Sequence, residues 1–156
     1  DVLLRECMIP RTEVVAISSG ATPEEILTLF RDSNYSRIPV YDGNIDRITG
    51  YIHSKDLLSG KKSAGELLRK IEYYPEEMGA KDLLATMTKN RGSIAVVLDK
   101  WGGTAGIVTL EDVLKKHQGK TIVLDIWASW CSDCIKGLPL VKALQKQNEK
   151  FPSINF

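Results

Sequence analysis

The stretch Gly106-Ile107-Val108-Thr109-Leu110-Glu111-Asp112-Val113-Leu114 decides how the rest of the chain is read. Its β-branched run from Ala105 to Val108 favours a buried strand, and Thr109 turns that strand into a helix beginning near Glu111. Thr109 is a good N-cap, and Asp112 three residues later can reach back to it, as in a capping box. An earlier stretch, Gly50-Tyr51-Ile52-His53-Ser54-Lys55-Asp56-Leu57-Leu58, echoes this one 56 positions upstream, with Gly50 matching Gly106 and Asp56 matching Asp112. Two glycine-to-aspartate segments in the same order make an internal repeat, and a repeat of this size must bury its apolar face against its neighbour.

Working outward, each copy reads as strand, helix, strand, strand, helix. In the first, Val14 to Ile17 is a short strand broken by Ser18-Ser19-Gly20. Thr22 caps a helix with Pro23 at its first position and Glu24 and Glu25 in its first turn, ending near Asp32-Ser33-Asn34. Arg37 to Tyr41 and Ile45 to His53 form a hairpin about Asp42-Gly43-Asn44, and Ser54 to Leu58 opens a second short helix. After the polar Ser59-Gly60-Lys61-Lys62-Ser63 the pattern restarts: Ala80 to Asn90 is helical, with Leu83, Leu84 and Met87 at helical spacing. Ser93 to Leu98 and Thr104 to Val108 are strands about the turn Asp99-Lys100-Trp101-Gly102-Gly103. The expected organisation is a first repeat at residues 1–60, a second at 61–114, and a separate segment at 115–156.

Charge separates that last segment. Residues 1–114 carry 14 Lys and Arg against 17 Asp and Glu, and residues 115–156 carry 7 against 3, so the total of +1 hides an acidic body and a basic tail. A near-neutral total argues against a nucleic-acid binder. A 43% apolar and 26% charged composition describes a soluble globular protein. Three cysteines exclude a disulfide-dense scaffold. The run Ile122 to Trp130, interrupted by Asp125, is too short to span a bilayer. The opening Asp1-Val2-Leu3-Leu4-Arg5-Glu6 shows no signal-peptide pattern, and the chain is expected to be a fragment of something larger.

Residues 8–114 resemble a CBS domain pair (a Bateman module) of the CorC/HlyC-type, hemolysin-like magnesium and cobalt efflux family. The resemblance rests on Met8-Ile9-Pro10-Arg11-Thr12-Glu13-Val14-Val15, Tyr35-Ser36-Arg37-Ile38-Pro39-Val40-Tyr41, the Gly50 to Leu57 stretch, and Trp101-Gly102-Gly103-Thr104 through Val113. It implies an α/β (α+β) fold of tandem β-α-β-β-α repeats about a pseudo-twofold axis, dimerising into a flat disc. It also implies regulatory binding of an adenine nucleotide, ATP or AMP, for a membrane transport domain that lies elsewhere in the parent protein. The module would then sit on the cytoplasmic side of a membrane.

Residues 115–156 instead resemble the opening β-α-β of a thioredoxin-like domain: a buried strand, Lys120 to Ala128, then Trp130-Cys131-Ser132-Asp133-Cys134 and a helix carrying Pro139. A C-x-x-C at a helix N-terminus lowers a thiol pKa, but Asp133 between the cysteines opposes the thiolate. Cys131 and Cys134 are therefore redox candidates, and Cys7 is a stray thiol.

For the repeats, a strand-to-helix corner offers N–H groups and a hydroxyl to phosphate and a carboxylate to a ribose diol. The resemblance assigns Asp112 to ribose and Thr109 to phosphate. The plainer reading is that Thr109 only caps its helix and Asp112 only favours its N-terminus. In the first copy His53 falls where Thr109 does, so Ser54 and Asp56 form the poorer corner. Arg37 supplies a planar cation for phosphate, Ser36 a hydroxyl, and Tyr35 a ring for a base. The resemblance places Tyr35, Ser36, Arg37, Ile38 and Pro39 opposite the Thr109/Asp112 corner, with Thr12 close by. No metal cluster is visible, so any Mg²⁺ would arrive with phosphate. Nothing in residues 1–114 pairs a nucleophile with a base, so the repeats are expected to sense rather than catalyse. Two rivals stay open: a thiol–disulfide oxidoreductase through Cys131 and Cys134, and a dimerisation module without ligand.

Overall fold

The computed structural model describes residues 2–60 and 62–116, together with the backbone of residues 121–122 and 154–155. The chain divides into two units, residues 1–116 and 117–156. The first unit holds both repeats. Its elements run α1 (Leu4–Cys7), β1 (Ile9–Pro10), a 3-10 turn (Arg11–Glu13), β2 (Ile17–Ser18), α2 (Pro23–Ser33), β3 (Arg37–Tyr41), β4 (Ile48–His53) and a 3-10 helix (Ser54–Ser59). Then come α3 (Ala64–Leu67), β5 (Glu72–Pro75), α4 (Ala80–Asn90), β6 (Ile94–Leu98), β7 (Thr104–Thr109) and α5 (Leu110–Lys116). The strand expected at Val14 to Ile17 is shorter and later, because residues 14–16 have no ladder partner and pairing with β3 begins at Ile17. The helix expected after Ser54 is a 3-10 helix.

Local chemistry explains the boundaries. The Thr22 hydroxyl accepts the Glu25 N–H at 3.2 Å while the Glu25 carboxylate accepts the Thr22 N–H at 2.8 Å, satisfying two of the free donors at the start of α2. At its other end Asn34 takes the left-handed conformation, φ 57°, that stops a helix. The β6–β7 turn is held by the Asp99 carboxylate, which accepts N–H bonds from Trp101 and Gly103 at 2.8 and 2.9 Å and leaves the Trp101 ring exposed.

The strands form two sheets, β2-β3-β4 in the first repeat and β1-β7-β6-β5 in the second. Period-two alternation sorts their side chains. Ala95 and Val97 face the second repeat's own core, with Leu83, Met87, Val108 and Val113. Ile94 and Val96 face the other way, meeting Ile48, Ile71 and Ile107 in a layer to which both repeats contribute. The first repeat's own core holds Ile17, Ile26, Phe30, Ile38, Val40 and Ile52. Both hairpins carry a register shift at the same place, Val40/Tyr41 in one and Val97/Leu98 in the other. In the first hairpin this turns Ile48 toward the shared layer although Ile52, four residues on, faces the first repeat's core.

The repeats also exchange their leading segments. Leu4 and Cys7 of α1 are buried in the second repeat's core, and β1 pairs antiparallel with β7 through Ile9↔Ile107 and Pro10↔Gly106. Ala64 and Leu67 of α3 are buried in the first repeat's core, and Arg69 bridges to Tyr51 of β4 through paired N–H···O bonds of 3.0 and 2.8 Å. The two repeat glycines lie directly beneath these passages. A Cβ on Gly106 would collide with the Ile9 carbonyl, and a Cβ on Gly50 with the Arg69 carbonyl and the Leu68 side chain. Backbone cannot step aside as a side-chain tip can, so glycine is required at both positions.

In the second unit, Thr121–Ile122 and Ile154–Asn155 form a parallel pair. Cys131 and Cys134 lie outside the described residues. Among the described residues no helix is long and apolar enough to cross a membrane.

Replacing Gly106 by Ala is expected to lower the unfolding free energy by about 1–3 kcal/mol, the usual range for forcing atoms into a packed site. Urea unfolding of the variant beside the parent measures it. A change indistinguishable from zero would show that the crossing strand is not held against β7.

Candidate functional site

A cavity of about 510 Å³, within the size range of small-ligand pockets, opens between the repeats. Tyr35, Ser36 and Arg37 of the first repeat line one side, and Thr109 and Asp112 of the second line the other. Its third wall is the crossing segment, through Ile9, Glu13, Val14 and Val15. The α2 stop at Asn34 and the start of β3 bring the Tyr35-Ser36-Arg37 run to the cleft; Tyr35 is 48% exposed there.

The Thr109/Asp112 corner is closely bonded. Asp112 Oδ2 accepts the Thr109 N–H at 2.9 Å and the Thr109 hydroxyl at 2.6 Å, while the Thr109 hydroxyl accepts the Asp112 N–H at 3.3 Å. The capping arrangement is therefore realised. It directs the one hydroxyl proton of Thr109 to Asp112, so the role in phosphate binding that the resemblance implies for Thr109 would need that bond to be exchanged. Both bonds to Asp112 end on Oδ2, which leaves Oδ1 outside the cap.

Arg37 is half-buried on β3, and its Nε is buried without a hydrogen-bond partner. A buried donor on a guanidinium is costly when unmatched, so the position suits an anion reaching in from the cavity. Across the ladder Arg37 faces His53. Burial first, then the nearby Arg37 and Arg69, hold the His53 imidazole below its ordinary value of 6.5. In its neutral form its Nδ1 accepts the Lys55 N–H at 3.1 Å and caps the 3-10 helix.

The remaining expected residues fall away from the cavity. Ile38 is fully buried in the first repeat's core, and Pro39 is buried beside it, because β3 turns inward immediately after Arg37. Neither side chain reaches the cleft. Thr12 sits exposed on the 3-10 turn, next to Glu13, which does line the cavity. In the first repeat's corner, Asp56 is gripped by Arg69 through two 2.7 Å bonds, and the Ser54 N–H is donated to the Ser36 carbonyl at 2.9 Å. That ion pair keeps the Asp56 carboxyl below its usual range.

The sequence reading missed Glu111 and Lys115, which also line the cavity. It missed the crossing segment as a wall as well. One signal was present: Glu6 and Glu66, 60 positions apart, each accept the N–H of the residue three before, Leu3 at 2.8 Å and Ser63 at 2.9 Å. Among the described residues no group of three or more His, Cys, Asp or Glu could hold a metal ion.

The model of the CBS domain family matches residues 4–62 and again 64–119, and the chain belongs to that family as a tandem pair. Its relatives place the pair within the CorC/HlyC-like branch. The CBS domain of a bacterial CNNM/CorC family Mg²⁺ transporter in complex with ATP superposes with a TM-score of 0.73 at 38% identity, covering 77% of this chain and 89% of that one. Hemolysin C of Rickettsia prowazekii is 35% identical over 126 residues, covering 77% of this chain and 42% of that protein. UPF0053 protein YrkA of Bacillus subtilis is 36% identical over 128 residues, covering 76% and 30%. The chain thus spans less than half of these curated relatives.

Because folded His53 takes up its proton at a lower pH than the unfolded chain does, its contribution is complete above about pH 6.5 and is lost as acidification passes its lower folded value. The urea midpoint is expected to fall between about pH 7.5 and 5.5, and His53→Asn, which keeps an acceptor at the Nδ1 position, is expected to flatten that fall. Equal slopes in the two proteins would contradict it.

Proposed function

We propose that the repeats form a regulatory module that binds an adenine nucleotide, ATP or AMP, in the cleft between Tyr35-Ser36-Arg37 and Asp112. Its occupancy would control an ion-transport domain of the CorC/HlyC type, moving magnesium or cobalt. The observation that carries this is the convergence of a ring, a hydroxyl and a guanidinium with an unmatched Nε from one repeat on a carboxylate from the other, around one cavity. Each group has a chemical task. Asp112 Oδ1 accepts hydroxyl protons from a ribose diol. Arg37 receives phosphate through its planar donors. Tyr35 offers its face to the base.

The relative solved with ATP supports the same ligand class. A ligand that touches both repeats and the crossing segment favours one arrangement of the three over others. A regulatory ligand needs such a difference in affinity between states.

The charges around the cavity refine the reading. Glu13, Glu111 and Asp112 oppose Arg37 and Lys115, three carboxylates against two cations. Such a net-negative wall repels a triphosphate more than a monophosphate. ATP would therefore enter with Mg²⁺ carried on its phosphates rather than in a protein site.

Titration of the chain with AMP and with ATP, with and without Mg²⁺, by calorimetry tests the proposal. Asp112→Ala is expected to weaken binding by about tenfold or more, the scale of a lost hydrogen bond to a charged group. The 2′-deoxy nucleotide is expected to bind weakly to the parent and to lose nothing further in the variant. Absence of heat with every nucleotide would leave dimerisation alone as the module's task.

A further inference from the structure

The two repeats present the same corner in two different states. Strand register fixes which residues correspond. Ile107 pairs with Ile9, Tyr51 pairs with Arg69, and Tyr51 and Ile107 are repeat equivalents. Arg69 therefore stands in the first repeat where Ile9 stands in the second. Ile9 is an apolar part of the cavity wall. Arg69 instead sends Nε to Asp56 Oδ2 and Nη2 to Asp56 Oδ1, both at 2.7 Å.

A guanidinium fork offers a carboxylate two parallel N–H donors. A ribose diol offers it two O–H donors. The fork thus satisfies on Asp56 the same demand that a bound ribose would satisfy on Asp112. We propose that Arg69 is a built-in occupant of the first repeat's corner, which holds the carboxylate a ribose would need and limits the module to one ribonucleotide per chain, at the second repeat's corner.

The inference rests on the reading of Asp112 given above. Its neighbourhood agrees with it. Arg37 lies opposite His53 and Ile94 opposite Thr109, so Ile94 is the repeat equivalent of Arg37, and Gly92 that of Tyr35. An opened first corner would have Asp56 for a ribose, but neither a cation nor a ring at those two places. It would bind a nucleoside and gain little from phosphate.

Counting sites by calorimetry with AMP and with adenosine tests this. The full chain is expected to bind one AMP. Arg69→Ile, which installs the residue the second repeat carries, is expected to keep that site and to add a second, at least about tenfold weaker and nearly as good for adenosine as for AMP, since a lost charge-assisted bond is worth that much. Adding Asp56→Ala to Arg69→Ile should remove only the new site. Arg69→Gln, which keeps bulk but lacks the fork, serves if the isoleucine variant does not fold, and carries the same expectation. A folded variant that still binds one ligand overturns the inference, as does a parent chain that binds two. A parent that binds none removes the reading of Asp112 and this inference with it.

Discussion

The passage of one backbone over another at Gly50 and Gly106 constrains everything else in the repeats. Each glycine lets a carbonyl from a crossing segment, Arg69 in one case and Ile9 in the other, lie where a side chain would be. The crossing segments leave one repeat's core and enter the other's, so neither repeat is complete alone. Leu4 and Cys7 finish the second core, and Ala64 and Leu67 finish the first. Packing at interior density makes such contacts intolerant of an added atom, which explains why the period of 56 residues is marked by glycine.

The same exchange builds the cleft. Because the segment from Ile9 to Val15 must travel from the second sheet to the first, it walls the cavity between Arg37 and Asp112. The shared apolar layer of Ile48, Ile71, Ile94, Val96 and Ile107 sets the spacing of the two sheets beneath it. The site is therefore a property of the pair. Its asymmetry comes from single substitutions at matched positions: Arg69 against Ile9, Ile94 against Arg37, His53 against Thr109. An approximate symmetry of backbone carries two unlike chemistries.

Much of this was legible in the sequence. The repeat appeared through Gly50/Gly106 and Asp56/Asp112, and Thr22-Pro23 with Glu25 located α2 because capping is local. Tyr35, Arg37, Thr109 and Asp112 could be singled out because strand-to-helix corners and cationic turns have short signatures. What escaped notice depends on distant contacts. Nothing near Glu13 or Lys115 announces a cavity, and the pairing of Arg69 with Asp56 spans 13 residues. The resemblance set Ile38 and Pro39 beside Arg37 opposite the corner, but β3 is buried from Ile38 onward, so neither side chain lines the cavity. The exchange of leading segments left only a faint trace in the 60-residue spacing of Glu6 and Glu66.

The central claim is that the two repeats grip one nucleotide between Asp112 and Arg37. A crystal structure of the chain grown with excess AMP and with ATP and Mg²⁺ tests it most directly. The account predicts density for one nucleotide in the cleft, its sugar against Asp112 Oδ1 and a phosphate against the Arg37 guanidinium. A cleft filled by side chains, or a nucleotide bound away from both residues, would contradict it.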